Sequence, residues 1–209
     1  MTRSPAVYVV DDDKSFRTAI GALLEACGYR TFLCESARQL LDHPLHDETG
    51  CILLDVQMPG LSGPQLQRDL VDRGCDLPIV FMSGHGDIPT AVQTIKAGAE
   101  DFLAKPIAQA RLLEAIERAL ARFEAVRASQ TERNKLLARL GTLTPRERQV
   151  FDHLVRGLPH KKIAYLLAIS ERTVKLHRHE IVRKLQVRSL AELAAIAERL
   201  RLLPHAEQQ

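Results

Sequence analysis

Ala6-Val7-Tyr8-Val9-Val10-Asp11-Asp12-Asp13 is the stretch from which the fold can be read. Five apolar residues in a row suit a short strand buried on both faces. Three aspartates close the run at once, which is too soon for a signal peptide. The same arrangement recurs downstream: Cys51-Ile52-Leu53-Leu54 runs into Asp55, Pro78–Met82 into Ser83, and Asp101–Ala104 into Lys105-Pro106. Thr31–Cys34 reads as one further strand. Helical periods separate them. Lys14–Cys27 stops at Gly28, and Ser36 caps a short helix holding Ala37, Leu40 and Leu41. Ser62–Val71 is the next, then Pro89–Ala97 with proline in its first turn, then a long helix from near Ala108. Five strands alternating with five helices imply an open parallel sheet with helices on both faces.

Such sheets carry their sites at the carboxyl ends of the strands. With strand order 2-1-3-4-5, Asp11, Asp12, Asp13, Asp55, Ser83 and Lys105 converge on one edge. Gathered carboxylates repel one another, and a bound cation relieves this. Mg²⁺ suits best, since it takes one or two carboxylates plus water and phosphate oxygens. Lys105 adds a positive charge and Ser83 a hydroxyl. A nucleophile, a metal, a cation and a donor are what phosphoryl transfer needs. The plain alternative is that Asp11–Asp13 only cap the first helix.

Val10-Asp11-Asp12-Asp13, Leu54-Asp55-Val56-Gln57-Met58-Pro59-Gly60, Met82-Ser83-Gly84-His85-Gly86-Asp87 and Lys105-Pro106 together resemble the receiver domain of two-component response regulators, over about residues 4–122. The resemblance implies that Asp55 accepts phosphate from a sensor histidine kinase. It implies Mg²⁺ held by Asp12 and Asp55, by Asp11 through water and by the Gln57 main-chain carbonyl. It further implies phosphoryl contacts from Ser83 and Lys105, an aromatic switch at Phe102 and a cis Lys105-Pro106 bond. Serine here replaces the commoner threonine and keeps the hydroxyl. Phenylalanine replaces the commoner tyrosine and loses one.

The composition divides with the chain. The 209 residues carry a formal net charge of +3, are 45% hydrophobic and 26% charged, and describe an ordinary globular protein. Residues 1–122 hold 12 Lys and Arg against 17 Asp and Glu, a balance of −5. Residues 123–209 hold 17 against 9, a balance of +8, which makes that half a candidate for nucleic acid. No apolar run is long enough to span a membrane, so a cytoplasmic location is expected. Cys27, Cys34, Cys51 and Cys75 lack metal or redox spacing and read as buried reduced thiols.

The long helix runs on through Ala110–Leu140, with leucines at 136, 137 and 140, and Gly141 ends it. Its polar stretch Arg127–Lys135 reads as a helical linker with room to fray. The expected division is therefore 1–122, a linker at 123–141, and an all-helical domain at 142–209. In that domain Thr144-Pro145-Arg146-Glu147 has the form of a capped helix start. A second helix covers about His160–Leu167, Ser170 caps a third reaching Leu185, and Ser189 caps a fourth reaching Leu200. On a wheel of the third, Ile181 and Leu185 fall within about 20° of Val174, forming a buried stripe. Arg172, Lys175, Leu176, His179 and Arg183 fall opposite, and His177 lies near the buried edge. A basic face on the second helix of a short-turn pair suits the DNA major groove. The bland alternative is a solvated basic face.

Leu143-Thr144-Pro145-Arg146-Glu147 through Gly157, Lys162-Ile163-Ala164, Ser170-Glu171-Arg172-Thr173-Val174-Lys175-Leu176-His177 and Lys184-Leu185 resemble the LuxR-type helix-turn-helix. With the receiver, the whole chain is similar to the FixJ/NarL class of response regulators. Ser83–Asp87 and Phe102 favour the FixJ branch. The resemblance implies that Lys175, Leu176 and His179 face bases, and that Lys161, Thr173, Arg178 and Lys184 contact phosphates. It implies a homodimer when phosphorylated, double-stranded operator DNA and RNA polymerase as partners, and activation of transcription. Two other classes remain open. An aspartate-nucleophile phosphatase would want a second acid two residues after Asp55, where Gln57 stands. A module that signals through protein contacts alone would not need the basic helix.

Overall fold

The computed structural model describes residues 4–45, 49–84, 88–200 and 202. The chain divides into two compact units, Met1–Val126 and Arg127–Gln209. The first alternates β1 (Ala6–Val10), α1 (Lys14–Ala26), β2 (Arg30–Cys34), α2 (Ala37–Leu41), β3 (Gly50–Asp55), α3 (Gly63–Asp72), β4 (Ile79–Ser83), α4 (Ile88–Lys96) and β5 (Asp101–Ala104). Next comes α5 (Gln109–Gly141), then α6 (Pro145–Val155), α7 (His160–Leu166), α8 (Glu171–Leu185) and α9 (Leu190–Arg199).

The five strands are parallel in the order β2-β1-β3-β4-β5. Alternate residues of each strand enter opposite cores. Tyr8, Val10, Ile52, Leu54 and Phe81 pack on one face, and Val7, Val9, Leu53, Val80 and Met82 on the other. This is why these strands are continuous apolar runs rather than alternating ones. The register pairs Val10 with Leu54, Asp55 with Met82 and Ser83 with Ala104. The residues that follow or end the strands therefore share one edge.

The second unit packs α6–α9 around Val150, Phe151, Ile163, Val174, Ile181, Leu185, Leu193 and Ile196. Thr144 accepts the Glu147 N–H at 3.2 Å while Glu147 accepts the Thr144 N–H at 2.8 Å, a reciprocal cap. Ser170 and Ser189 cap α8 and α9 through their hydroxyls alone, accepting the Thr173 and Glu192 N–H groups.

Residues 123–141 belong to α5, with Phe123 buried in the first unit's core and Leu136 and Leu140 in the second's. Its polar middle stays helical because its residues are mostly good helix formers, with Gln130 bonded to Asn134 one turn on. Leu137 is exposed, whereas Leu136 and Leu140 are buried. The cysteines are all free, but only Cys34 and Cys51 are buried; Cys75 is half-buried and Cys27 exposed, at the C-terminal cap of α1. Among the described residues, no helix is long and apolar enough to cross a membrane.

Candidate functional site

The carboxyl edge of the sheet gathers its charged groups around one ammonium. Asp11 follows β1 and is fully buried. Asp55 ends β3 and is nearly so. Lys105 follows β5, and its Nζ donates to Asp11 Oδ2 at 2.6 Å and to Asp55 Oδ1 at 2.7 Å. The remaining oxygens are held by backbone: Asp11 Oδ1 accepts the Asp13 N–H at 3.0 Å, and Asp55 Oδ2 the Gln57 N–H at 2.8 Å. Ser83 is buried at the end of β4, and its carbonyl accepts the Lys105 N–H at 2.7 Å. The Lys105-Pro106 bond is cis. Gly63 is required at the start of α3, because any side chain there would collide with the Asp55 carbonyl and the Phe81 ring.

The three aspartates divide the work. Asp13 caps α1, accepting the Ser15 and Phe16 N–H groups at 2.8 and 3.1 Å. Asp11 belongs to the ion cluster, and Asp12 is exposed at the edge. The capping alternative is therefore right for one aspartate of the three. Phe102 lies half-buried in β5 against the core. His85, Gly86 and Asp87, the loop expected beyond Ser83, lie outside the described residues.

Two residues of this site escaped the sequence reading. The Phe16 ring lies 4.2 Å from Lys105 Nζ, giving the ammonium an aromatic face. Arg17 donates to the Asp11 carbonyl. Both lie on the first turn of α1, five and six residues after Asp11; an aromatic beside a cation there was the available signal.

Burial pushes the Asp55 carboxyl above its usual pKa; Lys105 and the Gln57 N–H pull it down, but with the Asp11 charge beside it the net shift is upward. Burial disfavours the Lys105 ammonium, yet its bonds to Asp11 and Asp55 outweigh this and raise its pKa. One ammonium serves two buried carboxylates with a third carboxylate at the rim, so the edge is short of positive charge. Among the described residues no three His, Cys, Asp or Glu side chains already form a cage for an ion. Mg²⁺ asks for less, one or two carboxylates with carbonyl and water oxygens, and the all-oxygen donors here fit it.

The second unit presents a different surface. On α8, Val174, Ile181 and Leu185 are buried, while Arg172, Lys175, Leu176, His179 and Arg183 are exposed and His177 is half-buried. Arg183 is paired with Glu180 at 2.7 Å. Lys161 is exposed on α7. Thr173 is half-buried, its hydroxyl bonded to that of Ser170 at 2.8 Å. Arg178 is half-buried, with its Nε enclosed and without a hydrogen-bond partner among the described residues.

Lys184, expected at a phosphate, makes contacts within its own unit. Its ammonium donates to Glu147 at 2.6 Å and to the Thr142 carbonyl at 3.2 Å, tying α8 to the start of α6. Burial alone would raise the Glu147 pKa, but the bonds from Lys184 and Thr144 hold it below the usual carboxylate value. Arg146, also missed, donates to the Leu167 carbonyl and so holds the turn before α8.

Comparison with known proteins follows the same division. Residues 7–117 match the response regulator receiver domain, and residues 141–197 the bacterial regulatory proteins of the luxR family. The chain is 41% identical over 199 residues to the response regulator protein TodT of Pseudomonas putida F1, covering 95% of this chain and 88% of that one. It is 39% identical over 203 residues to the transcriptional regulatory protein FixJ of Bradyrhizobium diazoefficiens, covering 97% and 99%. The solved structure of the response regulator StyR superposes with a TM-score of 0.85 at 43% identity, covering 94% of this chain and 99% of that one.

Proposed function

The chain belongs to the FixJ/NarL family of two-component transcriptional response regulators, and from that premise we propose that phosphoryl transfer to Asp55 controls its binding to DNA. The observation that carries this reading is the single Lys105 ammonium shared by Asp11 and Asp55. It leaves Asp55 Oδ1 in a charge-deficient edge with a cation already in place for an incoming phosphoryl group.

The donor is a sensor histidine kinase. Asp12, Asp55 and the Gln57 carbonyl would hold Mg²⁺, with Asp11 reaching it through water. Bound there, Mg²⁺ neutralises charge between the accepting carboxylate and the phosphoryl oxygens. Asp55 supplies the nucleophilic oxygen, Lys105 meets a phosphoryl oxygen, and the Ser83 hydroxyl donates to another. The modification replaces a carboxylate carrying one negative charge with an acyl phosphate carrying about 1.5–2 at pH 7, a net gain of up to about one, and moves that charge outward onto the phosphoryl oxygens. Ser83 moving inward frees space into which Phe102 turns, and the surface of α4, β5 and α5 then favours a homodimer.

Two copies of the second unit on two half-sites gain affinity through effective concentration. There Lys175, Leu176 and His179 read bases, and Lys161, Thr173 and Arg178 contact phosphates. Lys184 acts from behind this face, through its bond to Glu147. The outcome is activation of transcription with RNA polymerase, in the cytoplasm.

The test is intact mass after incubation with acetyl phosphate, with and without Mg²⁺, on wild type and Asp55→Ala, paired with gel shifts on duplex DNA at several salt concentrations. One Mg²⁺-dependent phosphate on wild type alone, with tighter and salt-dependent DNA binding, is expected. DNA binding that ignores phosphorylation would refute the coupling.

A further inference from the structure

The segments that leave Asp55 and Ser83 are joined by a buried amide. Gln67 lies on α3, which follows Asp55, and only 3% of it is exposed. Its Nε2 donates to the Thr94 and Ala97 carbonyls, each at 3.3 Å. These carbonyls belong to the C-terminal end of α4, the helix that follows Ser83. The Thr94 carbonyl also accepts the Ala99 N–H at 3.0 Å, so the Gln67 amide adds a bond from another helix to the backbone turn that ends α4.

α4 is otherwise lightly held. Thr94, 2% exposed, is its sole buried residue. Its hydroxyl turns back to the Thr90 and Ala91 carbonyls at 3.0 Å. Toward the N-terminal end Ile88 is 75% exposed and Val92 47%. A helix with so little buried surface has low local stability wherever nothing anchors it. Two polar residues in the one buried position of a helix contact, where apolar ones would pack as well, favour one arrangement over neighbouring ones.

We propose that Gln67 is a positioning residue of the phosphorylation switch. It pins the C-terminal end of α4 to α3, so that α4 responds to Asp55 phosphorylation by pivoting about Thr94, with its displacement at the Ser83 end. The inference rests on the switch proposed above. It assigns the hinge to a side chain that touches neither phosphoryl group nor metal. Without the pin, α4 moves as a body and its unphosphorylated state is less restrained.

Amide hydrogen exchange on the full chain tests this, with Mg²⁺ and beryllofluoride as the phosphoryl mimic. Gln67→Met keeps the side-chain length, and Gln67→Glu keeps the shape but cannot donate; the two guard against a packing defect in either one. In wild type the mimic is expected to change exchange at residues 88–93 by about fivefold or more while leaving 94–99 nearly constant. Both variants are expected to exchange faster at 94–99 before the mimic is added, and to respond across all of 88–99, while still taking one phosphate by mass. A wild-type response spread evenly over 88–99, or variants indistinguishable from wild type at 94–99, overturns the pivot while leaving the switch standing. No response at either segment in wild type, with no phosphate by mass, overturns the switch and the pivot together.

Discussion

The carboxylate edge and the α8 face are both charged, yet they are built in opposite ways. The edge draws on Asp11, Asp55, Ser83 and Lys105 from four strand ends, and its ion pairs join residues 94 and 50 positions apart. Its charges are buried and face one another. The α8 face draws on one helix within the twelve residues 172–183, and Lys175, Leu176 and His179 are exposed. The lesson concerns tolerance. A buried edge works as one unit, so removing any member leaves an uncompensated charge. An exposed face is a sum of nearly independent contacts.

Substitutions can break or sharpen that contrast. The largest effect is expected from Asp55→Asn, which should abolish the phosphate adduct and with it the whole phosphorylation-dependent gain in DNA binding, read by intact mass and gel shift. Next comes the point where the second unit behaves like the first, the Glu147–Lys184 pair. Glu147→Ala removes a cap and leaves Lys184 unpaired, and should destabilise the second unit by about 2–3 kcal/mol in urea unfolding. The pH dependence has a definite sign. The Glu147 pKa is lower folded than unfolded, so its contribution is full above the unfolded value and is lost as pH falls through the folded one. Glu147→Gln should flatten that acid limb.

On the exposed face, Lys175→Ala should cost about 1–3 kcal/mol of affinity for a selected operator and relax preference at the bases it reads. Arg178→Ala should weaken binding to all duplexes alike and reduce the salt slope by about 1. Fluorescence anisotropy against salt separates the two. A strongly non-additive Lys175→Ala, His179→Ala pair would erase the contrast between the sites. The smallest effect concerns Ala168, whose φ of 52° lies in the left-handed region at the end of α7. Ala168→Gly should stabilise the second unit by up to about 1 kcal/mol, read as a raised urea midpoint.

Much of this was legible in the sequence because its signals are local. Apolar runs named the strands, and serine or threonine at positions 36, 144, 170 and 189 named helix starts. The buried stripe of α8 followed from its period alone. What was hidden was reciprocity at a distance. Glu147 reads as half of a capping box, and nothing local shows that the same oxygen also receives Lys184 from 37 residues on. Lys184 reads as one more basic residue of a basic helix for the same reason. Gln67 drew no notice within the Ser62–Val71 helix, since a lone polar residue carries no mark of what will cover it.

The sequence by itself determined the alternation of strand and helix, the carboxylates and lysine at the strand ends, and the two-unit division of charge. These follow from period, stop signals and composition, which act over a few residues. Only the tertiary structure decided which aspartate caps and which pairs, where residues 123–141 belong, and that Lys184 and Gln67 hold helices in place. Those outcomes depend on which groups meet once water is excluded, and buried polar groups take whatever partner the packing brings within about 3 Å.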